Sequence, residues 1–238
     1  MFRESAEFYD LIYSTFKDYA AEVDQLAGLL RRLHPGCRTV LDAGCGTGEH
    51  ARFLHKHGFV VDGFDIDPAL VRIARAKLPG RHVVEADMRT FSFPARYDAV
   101  VCLFSAIGYL TTLDQITEAL RRFRQHLAPG GVVIVEPWLA PGVLDPVRTF
   151  EHVGEGDGVR VVRRSRVEID GRLSRLLFDY EITDASGTRT ASEVHELGLF
   201  TTPEMLEAFA VAGLEVEHGA KGFTDRGLFV ARDERVTR

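Results

Sequence analysis

Cysteine is sparse in this sequence, with 3 in 238 residues. Cys37, Cys45 and Cys102 are odd in number and scattered, so they form neither a disulfide framework nor a metal-ligand pair. Their use fits a reducing cytoplasm, and Cys102, inside an apolar run, reads as a small buried hydrophobe. Excess positive charge is missing too. The formal net charge is −6, which leaves no electrostatic footprint for nucleic acid. No apolar run approaches the length that spans a bilayer, and the N-terminus MFRESAEFYD lacks the apolar core of a signal peptide. Neither a membrane nor a nucleic acid is therefore an expected partner. The motifs H-E-x-x-H, paired C-x-x-C and G-x-S-x-G are absent. The histidines form no ligand set, with His55 and His57 reading as solvated groups at a helix end, so no metal is expected. Internal repeats and low-complexity segments are absent as well.

What is present is a regular alternation of elements. A chain of 238 residues that is 45% hydrophobic can form one large α/β domain, alone or with a small subdomain. Apolar positions at helical spacing run from Ala20 to Leu33, and Pro35-Gly36 stops them. Strands are predicted at Thr39 to Leu41, Phe59 to Phe64, His82 to Glu85, Tyr97 to Phe104 and Val132 to Val135. Helices from Glu49 to about His57, from Pro68 to Leu78 and from Asp114 to Leu127 separate them. This order predicts a doubly wound, mostly parallel sheet with right-handed crossovers.

The pattern changes after Trp138. Residues Leu139 to Gly158, rich in Pro and Gly, read as loop. Arg160 to Ile169, Leu173 to Thr183 and Thr188 to Phe200 then alternate apolar and polar, with Asp170-Gly171 and Ser186-Gly187 as hairpin turns. This is an antiparallel meander inserted into the α/β fold. A helix from Pro203 to Ala212 and strands at Leu214 to Glu217 and Leu228 to Ala231 close the chain. The expected organisation is a core over 1–138 with an N-terminal helical lid, an inserted β subdomain over 139–200 for substrate or dimer contacts, and closing elements over 201–238.

The first strand runs into Asp42-Ala43-Gly44-Cys45-Gly46-Thr47-Gly48, and the second ends in Asp65. Such glycines let a ligand lie against bare peptide N–H groups, and a carboxylate at Asp65 can accept a ribose diol. A dinucleotide fingerprint would read G-x-G-x-x-G. Here the spacing is G-x-G-x-G, and Asp42 would repel a pyrophosphate but suit a cationic amino group. A nicotinamide enzyme is disfavoured. The loop resembles motif I of class I S-adenosylmethionine (SAM) methyltransferases, a Rossmann-like fold whose cofactor carries an ammonium and a sulfonium. In that class the position of Asp87-Met88 commonly receives adenine, a carboxylate taking the amine and the next N–H reaching a ring nitrogen. Ile66 and Leu70 would wall the ring. The plainer alternative for Asp87 is a turn cap.

Ligands of open α/β sheets bind beyond the carboxyl ends of the strands. Phe104, Ser105, Gly108 and Tyr109 follow the fourth strand and should face the transferable methyl, or else Phe104 and Tyr109 form a lip closing the core. Glu136-Pro137-Trp138 ends the fifth strand on the same rim, where Trp138 is either a substrate floor or a prop beneath the meander. Arginines crowd the meander (Arg160, Arg163, Arg164, Arg166, Arg172, Arg175), and Arg226 follows. On a two-residue period Arg163 lies opposite Arg164 and Arg166. Solvated strand faces are the default for the set, while Arg163 and Arg226 are open between that and a phosphate site.

The whole chain resembles the sugar N,N-dimethyltransferases that methylate the 3-amino group of TDP-linked deoxysugars in antibiotic biosynthesis. The matching pieces include Phe8-Tyr9-Asp10 with Tyr13, Lys17 to Glu22, the Asp42 to Gly48 loop, Asp87-Met88-Arg89 and Phe104 to Gly108. Val135-Glu136-Pro137-Trp138, Glu193-Val194-His195 and Arg226 to Val230 are the more specific ones. The resemblance implies SAM as cofactor, S-adenosylhomocysteine as product, an aminosugar on a nucleotide diphosphate as substrate, and a homodimer. It also implies cofactor contacts at Tyr19, Asp42, Gly44, Gly46, Gly48, Asp65, Ile66, Asp87 and Met88. Substrate contacts are implied at Tyr9, Tyr13, Glu136, Trp138, Arg163 and Arg226, with Arg163 and Arg226 on the phosphates. The catalytic candidates are Tyr109, Phe104 and Ser105. One departure stands out. The family often carries His after Ile-Gly, where this chain has Tyr109, and a phenol of pKa near 10 is a poor base at neutral pH. Positioning of an amine that is already nucleophilic can supply much of the rate instead. The alternatives are an O- or N-methyltransferase of another small metabolite, and a SAM-binding domain without turnover.

Overall fold

The protein is described by a computed structural model covering residues 5–233. Residues 1–4 and 234–238, which the sequence reading placed in the first and last segments, lie outside the described residues. Two helices lead the chain, α1 (Tyr9–Tyr13) and α2 (Tyr19–Leu33). Asp18 starts α2 by accepting the Ala21 N–H at 2.9 Å, a side-chain cap for one orphan donor. The alternating units follow as β1 (Thr39–Ala43), α3 (Glu49–Lys56), β2 (Val60–Asp65), α4 (Pro68–Lys77), β3 (Val83–Glu85), β4 (Tyr97–Cys102), α5 (Leu113–Gln125) and β5 (Leu127–Val135). The strands pair in parallel in the order β3-β2-β1-β4-β5. β1 and β4 are buried over nearly their whole length because helices cover both faces of the sheet. One face packs Phe64, Phe123, Phe209 and Phe229, and the other packs Val23, Leu26, Leu54 and Val71.

From β1 the chain winds outward to β3, then returns to β4 and winds the other way. The reversal between β1 and β4 opens a crevice at their carboxyl ends. After β5 come four long strands, β6 (Phe150–Gly156), β7 (Val159–Asp170), β8 (Leu173–Asp184) and β9 (Gly187–Gly198). They form a separate antiparallel sheet in simple sequential order. Its inner face packs Val161, Phe178, Tyr180 and Ile182 against Ile12 of α1. Finally α6 (Thr202–Val211) leads to β10 (Leu214–Gly219) and β11 (Leu228–Asp233). β11 inserts antiparallel between β5 and β10, completing a 7-stranded sheet.

Apart from shifts of one or two residues at other ends, three elements correct the sequence reading. The segment read as loop holds β6, which pairs with β7 from Phe150–Ser165 to Gly156–Val159. Its glycines look like loop composition but serve packing: a Cβ on Gly154 would lie 2.7 Å from the Leu11 carbonyl oxygen. The fourth strand ends at Cys102, because Phe104 and Ser105 turn into left-handed backbone, φ 48° and 65°. The fifth begins at Leu127, its register jumping from Tyr97–Leu127 to Ala99–Val132. Among the described residues no helix is long and apolar enough to cross a membrane.

Candidate active site

A cavity of about 330 Å³ occupies the crevice. Its floor is the glycine loop. Gly44 adopts φ +71°, and a Cβ there would come within 2.6 Å of Met88 Cε and 2.7 Å of Ala106 Cβ, so only glycine fits. Gly44 and Gly46 line the cavity, while Gly48 lies outside its lining as the N-cap of α3. Asp65 lines it too, accepting the Gly46 N–H and the Asp67 N–H, each at 2.9 Å. The carboxylate thus ties the loop to β2. Burial raises the pKa of Asp65, against those hydrogen bonds.

Asp42 stands behind this wall. It is 1% exposed, and its Oδ2 has no hydrogen-bond partner among the described residues. Burial, with the nearby Asp65 charge, pushes its pKa up to about 7. A buried acceptor without a partner is costly and favours a donor or cation brought close. Ile66, Asp87 and Met88 line the far end of the cavity. Asp87 is clamped by Arg89, whose Nε donates to Oδ1 at 2.9 Å, and this holds the carboxyl below its ordinary pKa. Its backbone oxygen also receives the Thr90 and Phe91 N–H groups, so Asp87 organises the turn as well as the wall.

The N-terminal helices cover the cavity. Tyr9 and Tyr19 line it, and Tyr13 stacks on Tyr9 with centroids 4.1 Å apart. Asp10 latches α1 to the loop by accepting the Thr47 hydroxyl at 2.6 Å and pairing with Lys77. Tyr109 lines the opposite wall, and its hydroxyl meets His195 Nδ1 at 3.0 Å. Phe104 lines the wall as well, with Lys17 Nζ 3.8 Å from its ring centroid and Tyr13 edge-on at 5.6 Å.

The left-handed turn at Phe104 and Ser105 is strained backbone for non-glycine residues, and its neighbours hold it. Glu136, fully buried, accepts the Phe104 N–H at 2.7 Å and the Thr224 hydroxyl. Ser105 donates to the Pro137 carbonyl at 2.7 Å and accepts from Arg226 at 3.3 Å. Glu136 and Ser105 therefore lie behind the wall and shape it. Trp138 also lies outside the main cavity. Its indole N–H donates to Ser174 at 2.9 Å, joining the core to β8.

The arginines divide sharply. Arg160, Arg164, Arg166, Arg172 and Arg175 pair with Glu155, Glu151, Asp179, Glu204 and Glu196. Arg163 turns inward and is 4% exposed, and its guanidinium lies 4.9 Å from the Tyr13 ring and 4.6 Å from Phe178. His152 Nδ1 meets its Nη2 at 3.3 Å, while Nε and Nη1 have no partner among the described residues. Arg226 lies 4.9 Å from the Phe104 ring and 5.4 Å from Trp138. The two guanidinium groups thus flank the edge-to-face pair Tyr13 and Phe104.

Residues 40–131 match the family model described as a methyltransferase domain. Over 229 residues the chain is 37% identical to the dTDP-3-amino-3,4,6-trideoxy-alpha-D-glucopyranose N,N-dimethyltransferase of Streptomyces venezuelae, covering 95% of this chain and 97% of the relative. The chain belongs to the TDP-aminosugar N,N-dimethyltransferase family of class I methyltransferases. A second relative, the dTDP-4-amino-2,3,4,6-tetradeoxy-D-glucose N,N-dimethyltransferase of Saccharopolyspora spinosa, is 32% identical over 95% of this chain and 92% of its own length. The SAM-bound structure of CalS10, an amino pentose methyltransferase from Micromonospora echinaspora, is 36% identical with a TM-score of 0.82. It covers 92% of this chain and 93% of its own.

As a SAM-dependent methyltransferase of this family, the chain uses a cofactor whose sulfonium supplies an electrophilic methyl carbon. The residues present fit it. Asp42 offers a buried acceptor without a partner among the described residues, Gly44 and Gly46 leave the loop bare, and Asp65 brings a carboxylate to the cavity. Thr47, Glu49, His50, Arg89 and Gln115 line the same cavity and were not picked out from the sequence. Thr47 could have been found from its place between the last two glycines, Glu49 and His50 by reading on past the loop, and Arg89 by its place beside Met88. Gln115 carries no local signal. His50 is held by Glu22 at 3.1 Å, and Glu22 also pairs with the buried Lys17.

Proposed function

We propose that the protein transfers methyl groups from SAM to the amino group of a TDP-linked deoxyaminosugar in natural-product biosynthesis. The observation that carries this reading is the split among the arginines. Exposed ones are paired with carboxylates, whereas buried Arg163 keeps two donors unpartnered among the described residues, beside the substrate-side rings, with Arg226 across from it. Guanidinium groups placed this way suit a diphosphate. The cofactor end is held by the Gly44–Gly48 loop, Asp42, Asp65, Asp87 and Met88, with Tyr19 beside them. Tyr9, Tyr13 and Phe104 enclose the sugar, and Tyr109 orients its amine. The work of the chain is alignment and exclusion of water, because a neutral amine needs no activation to attack a sulfonium-bound methyl.

In this reading residues 1–138 and 201–238 form the catalytic core and residues 139–200 the substrate subdomain. The chain works in the cytoplasm as a homodimer. Free Cys37, Cys45 and Cys102 support a reducing compartment. Exposed Val147, Phe150, Val153 and Val194 on or beside the four-stranded sheet support self-association, which analytical ultracentrifugation checks. The decisive assay offers TDP-3-amino and TDP-4-amino deoxysugars with SAM and follows methylated product by mass spectrometry. Arg226→Ala should raise the sugar KM by about ten- to a hundredfold, the scale of one charge-assisted contact, while Arg164→Ala leaves it unchanged. Equal effects of the two variants, or no turnover of any TDP-aminosugar, would overturn the reading.

A further inference from the structure

Tyr109 does not end at its hydroxyl. Behind it lies a line of buried polar groups that runs into the four-stranded sheet. Its hydroxyl contacts His195 Nδ1 at 3.0 Å, and His195 Nε2 contacts Glu193 Oε2 at 3.4 Å. His195 is 2% exposed and Glu193 8%. Glu193 also receives the Ser5 N–H at 3.2 Å, the Ser5 hydroxyl at 2.8 Å and the Tyr180 hydroxyl at 3.2 Å. Three donors converge on this carboxyl, which therefore serves as an acceptor. Both His195 and Glu193 project from β9, two residues apart and so on one face. Phe178 closes over the imidazole at 5.1 Å, with Arg163 beyond that ring.

The polarity of the line follows from its far end. Glu193 accepts, so His195 Nε2 donates. With a neutral imidazole the other nitrogen is the acceptor, and the Tyr109 hydroxyl then gives its only proton to Nδ1. The phenol oxygen keeps lone pairs and nothing to donate. We propose that Glu193 and His195 are positioning residues that fix the Tyr109 hydroxyl as a pure hydrogen-bond acceptor, so that it takes an N–H of the substrate amine and turns the nitrogen lone pair toward the transferable methyl. The inference rests on the proposed amine substrate for its catalytic half only.

The chemistry balances without a base on the enzyme. The nitrogen lone pair forms the N–C bond, and the C–S bond breaks with its electron pair left on sulfur, giving a neutral thioether. The N–H held by Tyr109 stays on nitrogen during attack. It becomes more acidic as positive charge develops there, so the contact strengthens in the transition state and raises kcat. The resulting ammonium loses its proton to water on release. A primary and a secondary amine each retain an N–H for this contact, so the same hydroxyl serves two successive transfers.

A double-mutant cycle tests the catalytic half. His195→Phe should lower kcat at saturating SAM and sugar by about tenfold, the worth of one such hydrogen bond. His195→Asn, whose amide oxygen can stand where Nδ1 stood, should recover most of that loss. In a Tyr109→Phe background, His195→Phe should change kcat by less than about twofold, because the hydroxyl it acts through is gone. Losses that simply multiply would make His195 a packing residue and overturn the proposal. A second measurement needs no substrate. Nitrogen-15 NMR of the His195 ring in the S-adenosylhomocysteine complex should show a protonated Nε2 and a bare Nδ1 whose shift moves in Tyr109→Phe. A protonated Nδ1 overturns the proposal whatever the substrate. The expected spectrum, found in an enzyme that methylates no aminosugar, would instead retire the substrate reading and leave the oriented hydroxyl standing.

Discussion

Replacing Arg163 by Met should leave the free protein as stable as before, or more so, while weakening its grip on nucleotide diphosphate. The side chain is buried between Tyr13 and Phe178, and Nε and Nη1 lack partners among the described residues. Each buried donor without a partner costs about 1–3 kcal/mol. Against this, each ring contact contributes roughly 0.5–2 kcal/mol when desolvated, and the aliphatic stem packs as Met would. The opposing contributions are of similar size, so the net change in unfolding free energy should stay within about 1 kcal/mol of zero. Binding is different, because a phosphate satisfies the free donors only when it arrives. Its loss should cost about 1.5–3 kcal/mol, a ten- to hundredfold weaker Kd. Urea unfolding measures the first quantity, and calorimetry with TDP the second. Destabilisation by more than about 3 kcal/mol with TDP affinity intact would show that Arg163 is a structural tie and refute the phosphate argument.

Tyr109→Phe should keep kcat within about tenfold of wild type, Tyr109→Ala should lose far more as the wall opens, and Tyr109→His should be tolerated. Rates followed from pH 6 to 10 decide this, and a Phe variant slowed by about 10³-fold would restore a general base. Gly44→Ala should abolish SAM binding in calorimetry, since its Cβ meets Met88 at 2.6 Å in a left-handed backbone; retained micromolar affinity would disprove the close fit. Asp42, with a folded pKa of about 7 against about 3.9 unfolded, binds its proton more tightly in the native state. Its contribution is therefore full below pH ~4 and is lost as pH rises through about 7. Asp42→Asn should flatten that decline in thermal melts without cofactor. The melting shift produced by SAM should then grow between pH 5 and 7.5 in wild type and much less in the variant. Equal growth in both would separate Asp42 from the cofactor's ammonium.

Much of this molecule was legible in its residues because the signals are local. Glycine spacing in Gly44–Gly48 reports a backbone that must turn and stay bare. An apolar run such as Ala99-Val100-Val101-Cys102 in β4, fully buried along its whole length, reports a strand covered on both faces. The period-two alternation of β7 already set Arg163 apart from Arg164 and Arg166, since neighbours on a strand point to opposite faces.

Tertiary structure decided what depends on the approach of distant segments. β6 was hidden because its glycines answer to Leu11 of α1, far away in sequence. Glu136 looked like a rim residue, yet its two oxygens are taken by Phe104 and Thr224. Tyr109 looked like a lone replacement for a histidine, and the fold brings His195 and Glu193 behind it from β9. Local sequence sets which conformations and faces a segment can offer. Which faces meet, and so which polar groups find partners and which are left to hold a ligand, is settled only when the sheets and helices pack.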